Sequence, residues 1–236
     1  MNGNAVNPWR VDKLEYFLEK KENSFEHIER LRSLTRTIDI FHYHLYEARD
    51  SINATGDLTS VKGFEFVLSD EFNDKSSIKL RLAIQANIQS SLYSARAIYD
   101  LFAQLLNSLL LDKPLATNNC DFFKLQRKLP ESKLKNYLNY LSSTIEFQYV
   151  NAFLNTIKHR NLVSFSALYD FESDKGGVRF GSFDYNGTKF PRMWAQDVME
   201  YSLFVKNSIV TAGNCLNQEL GIINAPKNAE PQHIEN

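Results

Sequence analysis

The run Asn155-Thr-Ile-Lys158-His159-Arg160 gathers an amide, two permanent cations and an imidazole within two helical turns. Lysine and arginine hold an anion such as phosphate, arginine by a planar fork of donors and lysine as a point charge. Histidine is the side chain whose ordinary pKa lies closest to neutrality, so His159 is the candidate proton carrier beside them. At roughly 100° per residue, Gln148, Asn151, Asn155, Lys158 and His159 share one side of a helix whose other side carries Ile145, Tyr149, Val150, Phe153 and Ile157. A second polar line runs along an earlier apolar helix, where Gln85, Gln89, Arg96, Asp100 and Asn107 fall within about 60° of one another. Arg96 and Asp100 are partners four residues apart.

Two readings follow. In one, the lines face a shared cleft, with Arg96, Lys158 and Arg160 binding an anion and Asn155 and Asp100 completing the site. In the other, each line is the wet side of an amphipathic helix, and Arg96 and Asp100 form a structural ion pair. Arg36, His42 and His44 supply another arginine–histidine spacing, but Asp39, His42, Tyr46 and Arg49 flank an apolar stripe and fit interfacial or exposed roles. His27 reads as a capping or surface residue, His233 lies in the tail, and Trp9 and Trp194 read as packing anchors.

Common catalytic signatures are missing from the sequence: it has no Gly-rich phosphate loop, no G-x-S-x-G elbow, no H-E-x-x-H and no paired C-x-x-C. Cys120 and Cys215 stand far apart without metal-site spacing, which fits a reducing compartment. No metal and no cofactor is therefore expected. Against 27 basic residues stand 28 acidic ones, so any nucleic-acid contact must be a local patch rather than a property of the whole surface. The N-terminus lacks a basic region followed by an apolar stretch, and no window approaches the roughly 18 to 20 apolar residues that span a bilayer. The expectation is a soluble, cytoplasmic protein without a membrane partner.

The elements that must position these residues are mainly helices. A short piece from Arg10 to Lys21 precedes a long one from Ser24, in which Leu34, Ile38, Phe41, Leu45, Ala48 and Ile52 recur at spacings of three and four. Asn53 to Asp57 breaks that helix, and Val61 to Leu68 reads as a loop or short strand. The strongest helical signal runs from Ser76 to Leu111 and is apolar enough for the centre of a bundle. Shorter helices follow at about 121–128, 131–141 and 144–160. The period then shifts towards two, and Ser173-Asp-Lys-Gly-Gly177 reads as the turn of a β-hairpin over about 162–186, with Asn186-Gly187 marking a second turn. A last helix covers 194–220. With 43% hydrophobic and 23% charged residues the chain can bury a full core. The fold class is thus mainly α: one helical bundle over residues 1–221 with a β-hairpin inserted before the last helix, and a polar, disordered tail over 222–236.

Phe153-Leu-Asn155-Thr-Ile-Lys158-His159-Arg160-Asn161-Leu-Val resembles the N-x-x-K-H-R segment of a group of bacterial HEPN-like helical proteins. The earlier helix from Gln89 through Arg96 and Asp100 to Asn107 fits the same picture, and the resemblance spans about residues 76 to 165. It implies a helical bundle of a kind recurring in bacterial phage-defence and toxin–antitoxin systems, where many members are metal-independent ribonucleases acting as dimers. Their motif is an arginine, a polar residue, a short spacer and a histidine. Arg160 is followed by polar Asn161, but Leu162-Val-Ser-Phe-Ser-Ala holds no histidine at the expected place, so the motif is incomplete.

His159 and Arg160 are accordingly the candidate catalytic pair if the chain cleaves RNA, with Asn155, Lys158, Arg96 and Asp100 as ligand-binding residues. The leading expectation is RNA or nucleotide binding in their cleft. The alternative is a non-catalytic interaction module whose hairpin and apolar helices build a homo-oligomer or bind a protein partner.

Overall fold

The computed structural model describes residues 7–55, 61–68, 75–172 and 175–222. Eight α-helices and five short strands are placed among them. The fold is mainly α, with a small antiparallel β region just before the final helix.

Two long helices form the spine. α1 (Val11–Leu18) leads through Asn23, held in the left-handed region at φ 57°, into α2 (Ser24–Ala54). Asparagine tolerates that backbone better than most non-glycine residues. After α3 (Val61–Val67) comes α4 (Lys75–Leu110), which packs along α2 for most of its length. The pair is antiparallel: His27 near the start of α2 meets Ser108 near the end of α4, while His44 meets Asn87. α2 buries Leu31, Leu34, Phe41, Leu45 and Ala48, and α4 buries Ile84, Ile88, Leu92, Ala95, Ile98, Phe102 and Leu106 on the facing stripe.

Three shorter helices follow, each started by a side-chain cap. Asp121 Oδ1 accepts the Lys124 amide (2.9 Å) at α5 (Phe122–Lys128), and Ser132 Oγ accepts the Lys135 amide (3.1 Å) at α6 (Lys133–Ser143). Thr144 Oγ1 accepts the Phe147 amide (3.4 Å) at α7 (Ile145–His159). Each cap satisfies an amide that the helix itself leaves without a partner. The last helix, α8 (Ala195–Glu219), lies against α4, α6 and α7. Tyr99 of α4 is fully buried and donates its hydroxyl to the Val205 carbonyl at 2.7 Å. Trp9 packs edge-on against Phe102 and over Gly213, where a Cβ would come within 2.1 Å of the indole, so only glycine admits the ring. Its expected anchoring role is thereby met.

Two expectations are corrected. Val61–Val67 is helix, not loop or strand: a segment this short carries too few residues for periodicity to decide, and its conformation is set by docking, with Phe66 buried and the Arg81 guanidinium donating to the Phe66 carbonyl at 3.2 Å. The β region is two hairpins rather than one. β1 (Phe165–Asp170) pairs with β2 (Lys175–Phe180), and β3 (Phe183–Tyr185) pairs with β4 (Thr188–Phe190). A two-residue β5 (Met193–Trp194) adds to the free side of β2.

Gly176 and Gly177 sit inside β2, opposite Tyr169 and Leu168, instead of forming the turn. Gly177 lies against the Trp194 ring, where a Cβ would meet Cε3 at 3.2 Å, so this glycine serves close packing. Asn186 and Gly187 do form the expected two-residue turn, with φ of 50° and 80°. Phe180, Phe183 and Phe190 turn inward onto Tyr149 and Phe153 of α7, which fixes the hairpins to the bundle. The tail expected over 222–236 lies, beyond Ile222, outside the described residues, as do His233 and part of the 173–177 turn. Among the described residues no helix is long and apolar enough to cross a membrane.

Candidate functional site

Arg96 sits at mid-length on α4 with its side chain only 12% exposed. Its guanidinium lies 5.4 to 5.8 Å from the ring centroids of Phe123, Phe122 and Phe147, which come from α5 and α7. The ring faces stabilise the cation where water is largely excluded. Nε donates to Asn151 Oδ1 of α7 (3.3 Å), and Nη1 pairs with Asp100 Oδ1 at 2.9 Å. That contact is close but off-line, so the Nη1 proton is not directed at the carboxylate as a hydrogen bond. Asp100 Oδ1 also accepts the Phe122 amide at 3.0 Å, which ties the ion pair to the start of α5. Arg96 is thus a fixed, partly desolvated cation.

Around it opens a cleft of about 420 Å³ between α4, α5, α7 and the β3–β4 hairpin. Arg96, Asp100, Asn151, Asn155 and Lys158 line one part of it, and Asp121, Phe123, Lys124, Arg127 and Tyr185 another. Four cations face two carboxylates, and both carboxylates are engaged: Asp100 with Arg96 and the start of α5, Asp121 with the Lys124 amide and ammonium. Burial pushes the Asp121 carboxyl up, but the Lys124 amide and ammonium outweigh it and hold its pKa below the usual value. Asn155 donates to the Asn151 carbonyl one turn back at 2.8 Å, and Lys158 extends over the exposed Tyr93 ring at 5.0 Å. The surplus of positive charge around a buried, pre-positioned guanidinium is what an anionic group requires.

Four of the residues expected from the sequence therefore meet: Arg96, Asp100, Asn155 and Lys158 line one cleft. His159 and Arg160 do not. His159 is exposed on the last turn of α7 and is not among the residues lining the cleft. Arg160 follows the helix with φ −130° and ψ −85°, turns away, donates to the Asp184 carbonyl at 2.8 Å and stacks over Tyr185 at 5.6 Å. The helix ends at His159, so Arg160 leaves its direction, while His159 stands about 100° around the axis from Lys158.

The remaining polar residues divide by task. Asn107 is buried and clamps Leu115 through both its amide atoms, at 2.9 and 2.8 Å, holding the chain after α4. Gln148 donates back to the Ser143 carbonyl, and Gln89 lines a separate shallow groove with His44 and Tyr93. His27 is buried against Ser108 at 3.2 Å rather than standing at the surface, and burial lowers its pKa. Asp121, Lys124, Arg127 and Tyr185 were not legible as site residues. The only signal was the basic cluster on a short helix, and its placement depends on how α5 docks.

Among the described residues no group of three or more histidine, cysteine, aspartate or glutamate side chains is placed to hold a metal ion. Comparison with known proteins returns no match among family models, curated proteins or solved structures.

Proposed function

We propose that this chain binds RNA or a nucleotide through its phosphate in the Arg96 cleft. The observation that carries the proposal is the guanidinium of Arg96, held by three aromatic rings and Asn151, with the cations of Lys124, Arg127 and Lys158 around it. An anion placed there meets the field of an arginine already held in place and of three further cations. The resemblance of the Asn155–Arg160 segment to HEPN-like helical proteins supports the same ligand class, and a bacterial cytoplasmic role in phage defence or a toxin–antitoxin pair accords with it.

Binding without cleavage is the favoured form. A metal-independent ribonuclease needs a base and an acid within hydrogen-bond reach of the reacting phosphate, and the residues lining the cleft include no histidine. Cleavage by His159 would require the RNA to continue beyond the cleft, past the end of α7.

The test is fluorescence anisotropy of a short labelled RNA and of a labelled nucleotide against the purified chain in EDTA, at several salt concentrations, with gel analysis for cut products. Saturable binding that weakens steadily with salt, with the RNA intact, is the expected result. No binding of either probe at low salt would overturn the proposal.

A second reading keeps some support from the hairpin tip, where Phe171 is 78% exposed beyond the edge strand β1. An interaction module of this kind would lose assembly on Phe171→Ser, whereas Phe180 and Phe183 are core residues whose loss unfolds the hairpins. Sedimentation of the wild type and Phe171→Ser separates this reading from a monomeric binding protein.

A further inference from the structure

The face of α4 that carries Arg96 continues towards the start of the helix as a second recess. At about 100° per residue, Ala86, Gln89, Ser90 and Ala97 fall within about 60° of Tyr93, as do Arg96 and Asp100 further along. With Ile40 and His44 of α2, the first four and Tyr93 line a groove of about 500 Å³. It shares no lining residue with the Arg96 cleft, yet the two touch. Lys158, which lines the cleft, holds its ammonium 5.0 Å from the ring centroid of Tyr93, which lines the groove.

The chemistry changes along this face. None of the described residues lining the groove carries a carboxylate, an ammonium or a guanidinium. In their place stands the ring of Tyr93, 54% exposed, with the small side chains of Ala86, Ser90 and Ala97 beside it. Neutral hydrogen-bonding groups around the ring are unspent. Ser94, also in the lining, is 5% exposed, and its hydroxyl makes no hydrogen bond among the described residues. The Gln89 amide nitrogen is sealed from solvent without a partner, so the side chain keeps an unmet donor. The Asn87 amide donates to the Ala83 carbonyl at 3.0 Å, which turns its oxygen to His44 Nδ1 at 2.8 Å; that nitrogen carries the proton, and Nε2 of the neutral ring is left as an acceptor.

An aromatic ring with small neighbours and neutral donors and acceptors suits a flat, uncharged heterocycle, whose face stacks and whose edge both donates and accepts. A phosphate by itself has no use for such a surface. From Ala86 to Asp100 the face runs about 21 Å, against about 3.4 Å per stacked nucleotide, so cleft and groove together span more than one nucleotide. A duplex keeps its bases paired and stacked, out of the groove's reach.

We propose that the groove takes an unpaired base of single-stranded RNA, stacked on Tyr93 and met at its edge by Gln89 and Ser94, while a neighbouring phosphate sits in the Arg96 cleft. This rests on the phosphate reading of that cleft and adds to it that the ligand is single-stranded.

The test compares three labelled probes by fluorescence anisotropy against the full chain: a short single-stranded RNA, the same strand made abasic, and an RNA duplex with the same number of phosphates. The single strand should bind at least about fivefold more tightly than the abasic strand, the gain from stacking one base. Tyr93→Ala should cost the single strand about that factor and leave the abasic strand and the duplex unchanged. Tyr93→Phe, which keeps the ring, should bind as the wild type does. Ala97→Leu, which crowds the recess, should act as Tyr93→Ala does, and Arg96→Met should weaken the single and abasic strands alike. Equal binding of those two strands, or an equal loss for both in Tyr93→Ala, would overturn the base groove; if Arg96→Met still weakened both, the phosphate reading would stand without it. No binding of any probe would remove the phosphate reading and this inference together.

Discussion

The molecule carries two basic clusters that look alike in composition and differ in physics. At the end of α7, Lys158, His159 and Arg160 are consecutive and all exposed, and only Lys158 of the three lines the cleft. In the cleft, Arg96 stands alone in its stretch of sequence, yet it is 12% exposed and held by three rings, an amide and a carboxylate. An exposed cation exchanges one hydrated partner for another and gains little, whereas a pre-positioned and partly desolvated one gives up less entropy and meets a stronger field. On the proposed reading, the density of charge along a sequence is a poorer guide to an anion site than the packing of a single arginine.

The largest effect expected from this comparison is on Arg96. Arg96→Met should cost about 1.5 to 3 kcal/mol of RNA binding, the range for hydrogen bonds to a charged group, or roughly 10- to 150-fold in affinity. Circular dichroism would check that the fold survives. Next comes the cap that holds one wall of the cleft: Asp121→Ala should destabilise the chain by about 1 kcal/mol in urea unfolding. Its folded pKa is depressed, so the stability it contributes is present above the unfolded value near 4 and is lost as pH falls through the folded value. The variant should accordingly show a flatter loss of stability in acid.

A smaller effect is expected at Lys158, whose ammonium reaches the cleft from the rim. Lys158→Gln should weaken RNA binding by a similar factor for every sequence and reduce the slope of log affinity against log salt by about 0.7 for a single strand. His27 gives a test in pH alone. Burial depresses its folded pKa, so its contribution is present above the unfolded value near 6.5 and lost on acidification through that window. Thermal unfolding followed from pH 7.5 to 5.5 should decline less steeply in His27→Gln than in the wild type. Smallest of all, His159→Ala should change stability by less than about 0.5 kcal/mol, as for an exposed residue without partners.

Much of this arrangement was legible before any coordinates, and the parts that were not share a cause. The bounds of α2, α4, α7 and α8 followed from apolar residues repeating at three and four over many turns, because a long helix averages out local exceptions. α3 did not follow, since seven residues hold too few repeats and its state depends on Phe66 docking beside Arg81. The Gly176-Gly177 pair reads as a turn, but both lie within β2 and Gly177 is packed beneath Trp194. That Arg96, Asp100, Asn155 and Lys158 come to line one cleft was legible because each lies on a polar line of an otherwise apolar helix, and the two helices pack together. His159, the last residue of the same helix as Lys158, stands about 100° around the axis from it and outside the cleft lining, because adjacency in sequence is not a shared direction on a helix. Lys124 and Arg127 were unreachable, as nothing local tells which helix face α5 presents.

The most direct test of the account measures RNA binding in EDTA for Arg96→Met and His159→Ala side by side. The account predicts that Arg96→Met loses about tenfold or more in affinity while His159→Ala binds as the wild type does. The reverse outcome, binding abolished in His159→Ala and intact in Arg96→Met, would place the site at the end of α7 and contradict the account.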